Sequence, residues 1–276
     1  MTQEKVWFVT GASGGLGRLW TEAALERGDK VVATARRPEA LKELADRYGE
    51  AVLALPLDVT DRAAVFDAVA KGHAHFGRLD VILSNAGYGY MSAVEEIDID
   101  AAKANFETNV WGTLNVIQAA MPYLREQGSG HILTLSSIAG MVSLPTGGSY
   151  IASKWAVEAL SEGLAGEVAG FGVKVTIIEP GSFSTGFRSA TKLETAMPAY
   201  EALRKEVHGR FNGAIIGDPE ATPPAILQVV DAEDPPLRLI LGNWLLPMVK
   251  QHYQSRIETW EKWADVSNAA QGTPKA

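Results

Sequence analysis

The chain has 276 residues, of which 46% are hydrophobic and 21% are charged, as in an ordinary soluble globular protein. Its formal net charge of −8 argues against a nucleic-acid-binding surface and against attraction to anionic membranes. Because it has no cysteine, disulfides, thiolate metal sites and a cysteine nucleophile are excluded.

The first residues run directly into an apolar segment. Met1–Phe8 is too short and polar for a signal peptide, and no stretch reaches the ~18 apolar residues of a membrane span. We therefore expect a soluble, cytoplasmic protein that binds neither nucleic acid nor membrane.

Short apolar runs alternate with longer helical patterns through the first two thirds of the chain. The apolar runs predict strands at Val6–Thr10, Val31–Ala35, Val52–Leu57, Val81–Asn85, His131–Ser136 and Val173–Ile178. The helical patterns lie at Leu16–Arg27, Pro38–Tyr48, Arg62–Phe76, Ala101–Arg125 and Ser149–Ala169. This alternation predicts an α/β, doubly wound, Rossmann-type parallel sheet with helices on both faces, in a single domain spanning residues 1–276.

The pattern changes after Pro180-Gly181. Residues 182–236 contain two proline pairs and one clear helical pattern, Ala199–His208. Because a long irregular insert in a compact domain is usually functional or disordered, we expect 182–236 to be a mobile, substrate-binding cap.

The C-terminal part closes the domain. It contains a predicted strand, Leu237–Leu241, a helix at roughly Pro247–Trp263, and a flexible tail at residues 271–276. An apolar stripe at helical spacing predicts that this helix packs in the core or against another subunit: Val249, Tyr253, Ile257, Trp260 and Ala264.

A glycine-rich loop follows the first strand and opens the first helix: Thr10-Gly11-Ala12-Ser13-Gly14-Gly15-Leu16-Gly17. Its glycines permit a tight turn and let the backbone approach a pyrophosphate, which the helix N-terminus attracts. Many glycine-rich loops are plain turns, but the strand–loop–helix context favours a dinucleotide site.

The residues at the end of the second predicted strand indicate which dinucleotide the site binds. NAD sites place an acid there for the ribose 2′-hydroxyl, whereas this chain has Arg36 and Arg37. Guanidinium groups suit a 2′-phosphate, so NADP (NADPH) is favoured over NAD, with Arg36 the stronger candidate and Ser13 a second contact. The alternative is a pair of solvated arginines at a helix start.

Tyr150 and Lys154 lie four residues apart and therefore share one face of a helix, with Ser137 thirteen residues ahead of the tyrosine. A nearby ammonium favours the phenolate, so the pair can act as a proton donor and acceptor. The alternative is an exposed tyrosine beside a solvated lysine.

The histidines suggest no metal site. None shows zinc-ligand spacing with acids or with another histidine. His208 falls in the expected cap. The five histidines are His73, His75, His131, His208 and His252.

Taken in order, the motifs of residues 6–186 resemble those of the short-chain dehydrogenase/reductase family, in its subgroup of about 250 residues. They are Thr10-Gly-x-x-x-Gly-x-Gly17, Asp58-Val59, Asn85-Ala86-Gly87, Asn109, Ser137, Tyr150-x-x-x-Lys154 and Pro180-Gly181. Similarity over the last ninety residues is looser.

This resemblance implies a catalytic role for four residues. Tyr150 is expected to be the acid/base and Ser137 to hydrogen-bond the substrate oxygen. Lys154 is expected to lower the tyrosine pKa and hold the nicotinamide ribose. Asn109 is expected to hold a water in a proton relay, or else to be an asparagine satisfied by backbone.

The resemblance also implies contacts with the cofactor. Beside the glycine loop and the arginines, these are Asp58 and Val59 at the adenine, Asn85, Ala86 and Gly87 along the cleft, and Pro180, Gly181, Phe183 and Thr185 at the carboxamide. Asp58 has the alternative role of a helix cap, and Thr185 that of a turn residue.

The leading hypothesis is an NADP-dependent enzyme that interconverts a secondary alcohol and a ketone or aldehyde. The glycine spacing argues against the longer sugar-nucleotide epimerases, and the rival is a non-catalytic NAD(P)-sensing protein on the same fold. Apolar residues near the cleft suggest a hydrophobic substrate: Tyr88, Tyr90, Met91, Met141, Phe183, Phe187, Met197, Tyr200, Phe211, Ile215 and Ile216.

The resemblance implies a homo-oligomer as well. In relatives the helix equivalent to Trp155–Ala169 forms a dimer interface, so we expect a homodimer, or a homotetramer if the extended C-terminal helix does not block a second interface.

Overall fold

The computed structural model describes residues 4–211 and 216–272, without the side chains of His208, Arg210 and Phe211. The strands are β1 Val6–Thr10, β2 Lys30–Ala35, β3 Val52–Pro56, β4 Val81–Ser84, β5 Tyr90–Met91, β6 Gly130–Leu135, β7 Val173–Pro180, β8 Lys192–Leu193 and β9 Arg238–Leu241. The α-helices are α1 Gly15–Glu26, α2 Lys42–Tyr48, α3 Arg62–Phe76, α4 Ile99–Phe106, α5 Gly112–Gln127, α6 Gly148–Val168, α7 Phe187–Ala190, α8 Glu201–Phe211, α9 Pro223–Asp231, α10 Leu245–Lys262 and α11 Ala264–Gln271.

Seven strands of the described chain form one parallel sheet in the order β3-β2-β1-β4-β6-β7-β9. The order reverses between β1 and β4, and the carboxyl ends of these two strands border the crevice where ligands bind in such sheets. The predicted doubly wound fold is confirmed, with strand bounds that differ by at most two residues at either end.

Side-chain alternation along β1 builds a core on each face of the sheet. Trp7 and Val9 pack into one cluster with α1, α2 and α9, whereas Val6 and Phe8 pack into the other with α3 and α5. All five residues of β1 are buried, as expected for a strand covered on both faces.

Residues 223–231 differ from the prediction of a cap. Pro223 and Pro224 occupy the first positions of α9. The backbone N–H groups there have no acceptor within the helix, so the missing N–H of proline costs no hydrogen bond and the two prolines start this helix. Ile226 is fully buried in the same core cluster as Trp20, whose Nε1 donates to Thr222 Oγ1 at 2.7 Å. Within the predicted segment 182–236, α9 is therefore a regular helix that packs into the core.

The C-terminal stripe does not pack in the core. Val249 is half-buried, but Tyr253, Ile257 and Trp260 are 40%, 41% and 66% exposed. Gln271 ends α11, and the rest of the predicted tail beyond Gly272 lies outside the described residues. In the described chain, no helix is both long enough and apolar enough to cross a membrane.

Candidate functional site

The glycine loop connects β1 to α1. Gly11 has φ +70°, a left-handed conformation, and a Cβ on Gly17 would collide with the Asn85 side chain. Gly14 is the N-cap of α1 and gives no side-chain cap, and Ser13, Gly14 and Gly15 are exposed. The first N–H groups of α1, including that of Leu16, thus face an open crevice, as pyrophosphate binding requires.

The segment Asn85-Ala86-Gly87 is fastened to this loop. Thr10 Oγ1 accepts hydrogen bonds from the backbone N–H groups of Asn85 (3.0 Å) and Ala86 (3.1 Å). Asn85 Nδ2 donates to the carbonyls of Thr10 and Gly11 at 2.9 and 3.2 Å. The two loops therefore form one wall of the crevice.

Arg36 and Arg37 follow β2, at the same edge of the sheet. Both are exposed, and among the described residues no acidic side chain forms an ion pair with either. The positive charge of Arg36 reaches Tyr88, where it opposes the burial that raises the pKa of that phenol. Both guanidinium groups are therefore available to an anionic group at this edge of the sheet.

Asp58 and Val59 follow β3. Asp58 Oδ1 accepts from Thr60 N (3.0 Å) and Thr60 Oγ1 (2.8 Å), and Val59 is buried. The alternative of Asp58 as a helix cap is wrong, because Asp61 caps α3 by accepting from Ala64 N at 3.0 Å.

Tyr150 and Lys154 lie in the first turns of α6 and are only 6% and 5% exposed. Lys154 Nζ lies 5.9 Å from the centroid of the Tyr150 ring and donates to Leu135 O at 2.6 Å. The alternative of an exposed tyrosine beside a solvated lysine is therefore wrong.

Burial dominates the ionisation of both groups. It raises the pKa of Tyr150 to about 12, although the interaction with the Ser137 hydroxyl opposes the rise. It lowers the pKa of Lys154 to about 8, although the negative charge of Glu158 opposes the fall. The pKa of Tyr150 therefore lies above its ordinary value, because burial disfavours the phenolate.

Ser137 follows β6, and its hydroxyl interacts with the Tyr150 phenol on α6. Its Oγ accepts from Ala139 N at 3.2 Å and donates to Pro180 O at 3.5 Å. The 3.5 Å bond is weak, so the hydroxyl is available to a ligand oxygen next to the phenol.

Asn109 lies in a π-helical turn, Glu107–Trp111, that interrupts the predicted helix Ala101–Arg125. Its Nδ2 donates to Tyr88 O (3.1 Å) and Ser153 Oγ (3.0 Å), and its Oδ1 accepts from Tyr88 N (3.1 Å). The side chain thus joins the loop at Tyr88 to α6, and π-helical turns of this kind are frequent at functional sites. A Cβ on Gly87 would approach both Asn109 Oδ1 (3.0 Å) and Lys154 Nζ (3.7 Å).

The residues after β7 close the other side of the crevice. Gly181 N donates to Leu241 O at 3.0 Å, and Phe183 packs against Gly217. A Cβ on Gly15 would lie 3.9 Å from Thr185, so this segment passes over the glycine loop. Thr185 Oγ1 accepts from Phe187 N at 3.3 Å and therefore also stabilises a turn.

The apolar residues named from the sequence have different environments. Tyr90 and Met141 are buried, whereas Phe187 is 37% exposed and its ring lies 5.5 Å from that of Tyr150. Ile215 and the side chains of Phe211 and His208 lie outside the described residues. Phe187 is thus an apolar contact beside the phenol.

The sequence interpretation overlooked Glu96 and Arg204, which join two segments next to the crevice. Arg204 pairs with both carboxylate oxygens of Glu96, which also accept from Ala93 N (2.9 Å) and Met197 N (2.8 Å). The guanidinium and these N–H groups lower the pKa of Glu96 to about 2. The partners are 108 residues apart, so no local sequence signal links them.

Comparisons with known proteins agree with this geometry. Residues 5–196 match the family model described as short chain dehydrogenase. The chain is 40% identical to oxidoreductase BOA17 of Botryotinia fuckeliana over 96% of its length and 99% of the relative's. It is 34% identical to a 3-ketodihydrosphingosine reductase of Bacteroides thetaiotaomicron, over 87% and 88%.

Solved structures give the same result. A short-chain dehydrogenase from Streptomyces avermitilis superposes with a TM-score of 0.88 at 39% identity, covering 98% of this chain and 99% of the other. A serine dehydrogenase complexed with NADP+ superposes with a TM-score of 0.75 at 28% identity, covering 86% and 94%. The chain belongs to the short-chain dehydrogenase/reductase family and is an oxidoreductase with a nicotinamide cofactor.

Proposed function

We propose that this protein uses NADP to interconvert an apolar ketone or aldehyde and the corresponding alcohol. The observation that carries the proposal is the buried Tyr150 phenol, which has Ser137 and Lys154 beside it at the sheet edge that also carries the glycine loop. The rival of a non-catalytic sensor gains no support, since nothing in this arrangement of three groups is missing.

In this proposal the residues of the chain handle the proton. The bound nicotinamide supplies or accepts the hydride. Tyr150 gives its proton to the carbonyl oxygen in reduction and takes one from the alcohol in oxidation. Ser137 donates a hydrogen bond to the same oxygen and stabilises the charge that develops there. Lys154, with a pKa of about 8, is an ammonium ion at neutral pH and stabilises the phenolate.

Asn109 has a supporting role. Its side chain orders the loop at Tyr88 and the helix that carries Lys154, and in the proposed relay it holds a water that connects Lys154 to solvent.

The proposed cofactor contacts extend along the crevice. Ser13, Gly14, Gly15 and Leu16 bind the pyrophosphate through backbone N–H groups, and Arg36 binds the 2′-phosphate with Arg37 in support. The remaining contacts are Asp58 and Val59 at the adenine, Asn85 to Gly87 along the cleft, and Pro180, Gly181, Phe183 and Thr185 at the carboxamide.

Substrate preference is proposed from Phe187 beside the phenol, because an aromatic ring there favours an apolar group next to the reacting carbonyl. The relative named 3-ketodihydrosphingosine reductase supports including long-chain ketones.

The direct test is a carbonyl panel followed by NADPH absorbance. It includes a long-chain alkyl ketone, an aryl ketone, a steroid ketone and pyruvate as a small charged ketone. We expect kcat/KM for the best apolar ketone to exceed that for pyruvate by at least about 100-fold, or ~2.7 kcal/mol. Preference for pyruvate contradicts the apolar pocket. NADPH binding with no oxidation of NADPH by any carbonyl favours the sensor.

A homodimer through α6 is also proposed. Leu160 on this helix and Trp111 in the π-helical turn that contacts it are 36% and 46% exposed, and exposed large apolar side chains favour a protein contact.

The proposed cap extends from Ser182 to α8 and is held down by the Glu96–Arg204 ion pair. Tyr90 Oη supports it by donating to Glu194 at 2.7 Å, and β5 pairs with β8. Arg204→Met is expected to raise KM for a large ketone about tenfold while kcat changes less than threefold, because the cap loses its closed position but the proton-transfer groups stay.

Lys205→Met is the matched control for this variant. Lys205 is the next residue of α8 and pairs on the surface with Glu201. Its replacement is expected to leave KM unchanged. An unchanged KM in Arg204→Met as well contradicts the role of the ion pair in holding the cap.

A further inference from the structure

Two buried carboxyl groups lie on α6 and β7, the first one helical turn from Lys154 and the second next to Pro180. Glu158 is one helical turn after Lys154 in α6 and is 5% exposed, and Glu179 is near the end of β7 and is fully buried. Buried carboxyl groups are costly unless they are paired, so two of them at one place need an explanation.

Arg238 of β9 is the counter-ion of this pair. Its Nε lies 3.1 Å from Glu158 Oε2 and 3.5 Å from Glu179 Oε1. Its Nη2 lies 2.8 Å from Glu162, a carboxylate that is 61% exposed. One guanidinium therefore faces two buried carboxyl groups and one at the surface.

The pattern of hydrogen bonds indicates a shared proton. Four buried oxygens of three residues have no hydrogen-bond partner among the described residues. They are Ser136 Oγ, Glu158 Oε1 and both carboxylate oxygens of Glu179. A Cβ on Gly140 would meet Ser136 Oγ and would lie 3.1 Å from Glu158 Oε1, so these two atoms are close together. One proton on Glu179, directed at Glu158, together with the Ser136 hydroxyl, supplies hydrogen bonds within this cluster that no N–H group of the described chain supplies.

The directions of the pKa shifts agree with this geometry. Burial and the negative charge of Glu158 raise the pKa of Glu179 to about 8. Burial also raises the pKa of Glu158, and the Ser136 hydroxyl and Arg238 oppose that rise. Glu179, with a pKa of about 8, is the neutral member at neutral pH. We assign the negative charge to Glu158 because it has the shorter contact with Arg238, 3.1 Å against 3.5 Å.

The pair is adjacent to residues that contact Lys154 and Ser137. Leu135, whose carbonyl accepts from Lys154 Nζ, is followed by Ser136 and then Ser137. Glu179 precedes Pro180, whose carbonyl accepts from Ser137 Oγ. The Glu158 charge also raises the pKa of Lys154 against the effect of burial. The charged group that acts on Lys154 is thus Glu158 on its own helix, and Glu158 in turn contacts Arg238 on β9, which also contacts Glu179 on β7.

We propose that Glu158 and Glu179 share one proton and that Glu158, the charged member, is a positioning residue that keeps Lys154 an ammonium ion beside Tyr150. The kinetic part of this inference rests on the proposed function, whereas the shared proton does not.

The kinetic test is the pH profile of ketone reduction in Glu158→Gln. The substitution keeps the size of the side chain and removes the charge, so Lys154 is expected to lose its proton at lower pH. We expect the alkaline limb of kcat to move down by about one pH unit, with the Kd for NADPH within about threefold of the wild-type value. Glu158→Asp, which keeps the charge, is expected to move the limb back toward its wild-type position.

Glu162→Gln is the control, since it removes the exposed partner of Arg238. It is expected to keep the wild-type profile. An alkaline limb that is unchanged in Glu158→Gln, or that moves equally in Glu162→Gln, overturns the positioning role.

A second measurement needs no substrate. A carboxyl group with a folded pKa of about 8 and an unfolded pKa near 4.5 binds more protons when folded, so its contribution to stability falls as pH rises between these values. His131, with a pKa lowered to about 4, acts in the opposite sense below its ordinary 6.5, so the comparison must be made between variants.

Relative to wild type, Glu179→Gln is expected to gain about 5 °C in unfolding midpoint between pH 5 and pH 8. Equal pH dependence in the two proteins overturns the shared proton. If wild type reduces no ketone, the proposed function fails, and this thermal comparison still decides whether the pair holds a proton.

Discussion

Tyr150→Phe is expected to lower kcat for ketone reduction by at least about 10³-fold while the Kd for NADPH stays within about threefold. The substitution removes one hydroxyl and keeps the ring, which packs near Phe187 and Lys154. General acid catalysis by a positioned side chain contributes ~10²–10⁴-fold, and the Tyr150 phenol interacts with the Ser137 hydroxyl and lies beside Lys154. Steady-state kinetics and titration of protein fluorescence with NADPH measure the two quantities.

Tyr48→Phe is the control for this prediction. Tyr48 ends α2, and its hydroxyl donates to Glu26 at 3.4 Å on the surface. We expect wild-type turnover from it. Turnover retained in Tyr150→Phe contradicts the assignment of this residue as the proton donor. A large loss of NADPH affinity shows instead that the hydroxyl mainly supports cofactor binding.

The sheet could be predicted from the sequence because its strands carry their own signal. Parallel strands covered on both faces are continuous apolar runs, as in β1, where each residue is buried. The helices between them follow the same rule of local periodicity. The local pattern was harder to interpret where one residue type has two opposite local effects. Pro223 and Pro224 suggested an irregular cap, but at the first positions of a helix proline is favourable.

The location of the site could also be predicted, because the motifs follow the strands and parallel topology brings the carboxyl ends of the strands to one edge of the sheet. What the sequence could not give is the balance of burial and charge. Lys154 is four residues from Tyr150, which suggested a lowered tyrosine pKa, but the depth of burial depends on the whole fold and raises it to about 12.

Ion pairs between residues far apart in the chain could not be predicted from the sequence for a related reason. Glu96 and Arg204 are 108 residues apart, and Arg238 is 80 residues from Glu158. Each residue alone resembles an ordinary surface charge. Only the fold shows that Glu96, Glu158 and Glu179 are buried and what balances them.

Arg36→Ala is expected to raise the Kd for NADPH about 10–100-fold and to change the Kd for NADH less than about threefold. A hydrogen bond to a charged group contributes ~1.5–3 kcal/mol, and this range corresponds to the stated loss. The 2′-phosphate that distinguishes the two cofactors is the partner proposed for Arg36. Because Arg36 is exposed, salt should screen the interaction, so wild-type affinity for NADPH is expected to fall with ionic strength more steeply than affinity for NADH.

Arg37→Ala is the matched control, since it removes an equal charge one residue away. Arg37 lies at the start of the 3₁₀ turn Pro38–Leu41 and is exposed like Arg36. If only the positive charge matters, the Kd for NADPH rises equally in the two variants. If Arg36 contacts the 2′-phosphate directly, the Kd rises clearly more in Arg36→Ala. Equal losses for NADPH and NADH in Arg36→Ala show that the residue supports the loop and does not bind the 2′-phosphate, and NADP preference must then come from elsewhere in the crevice.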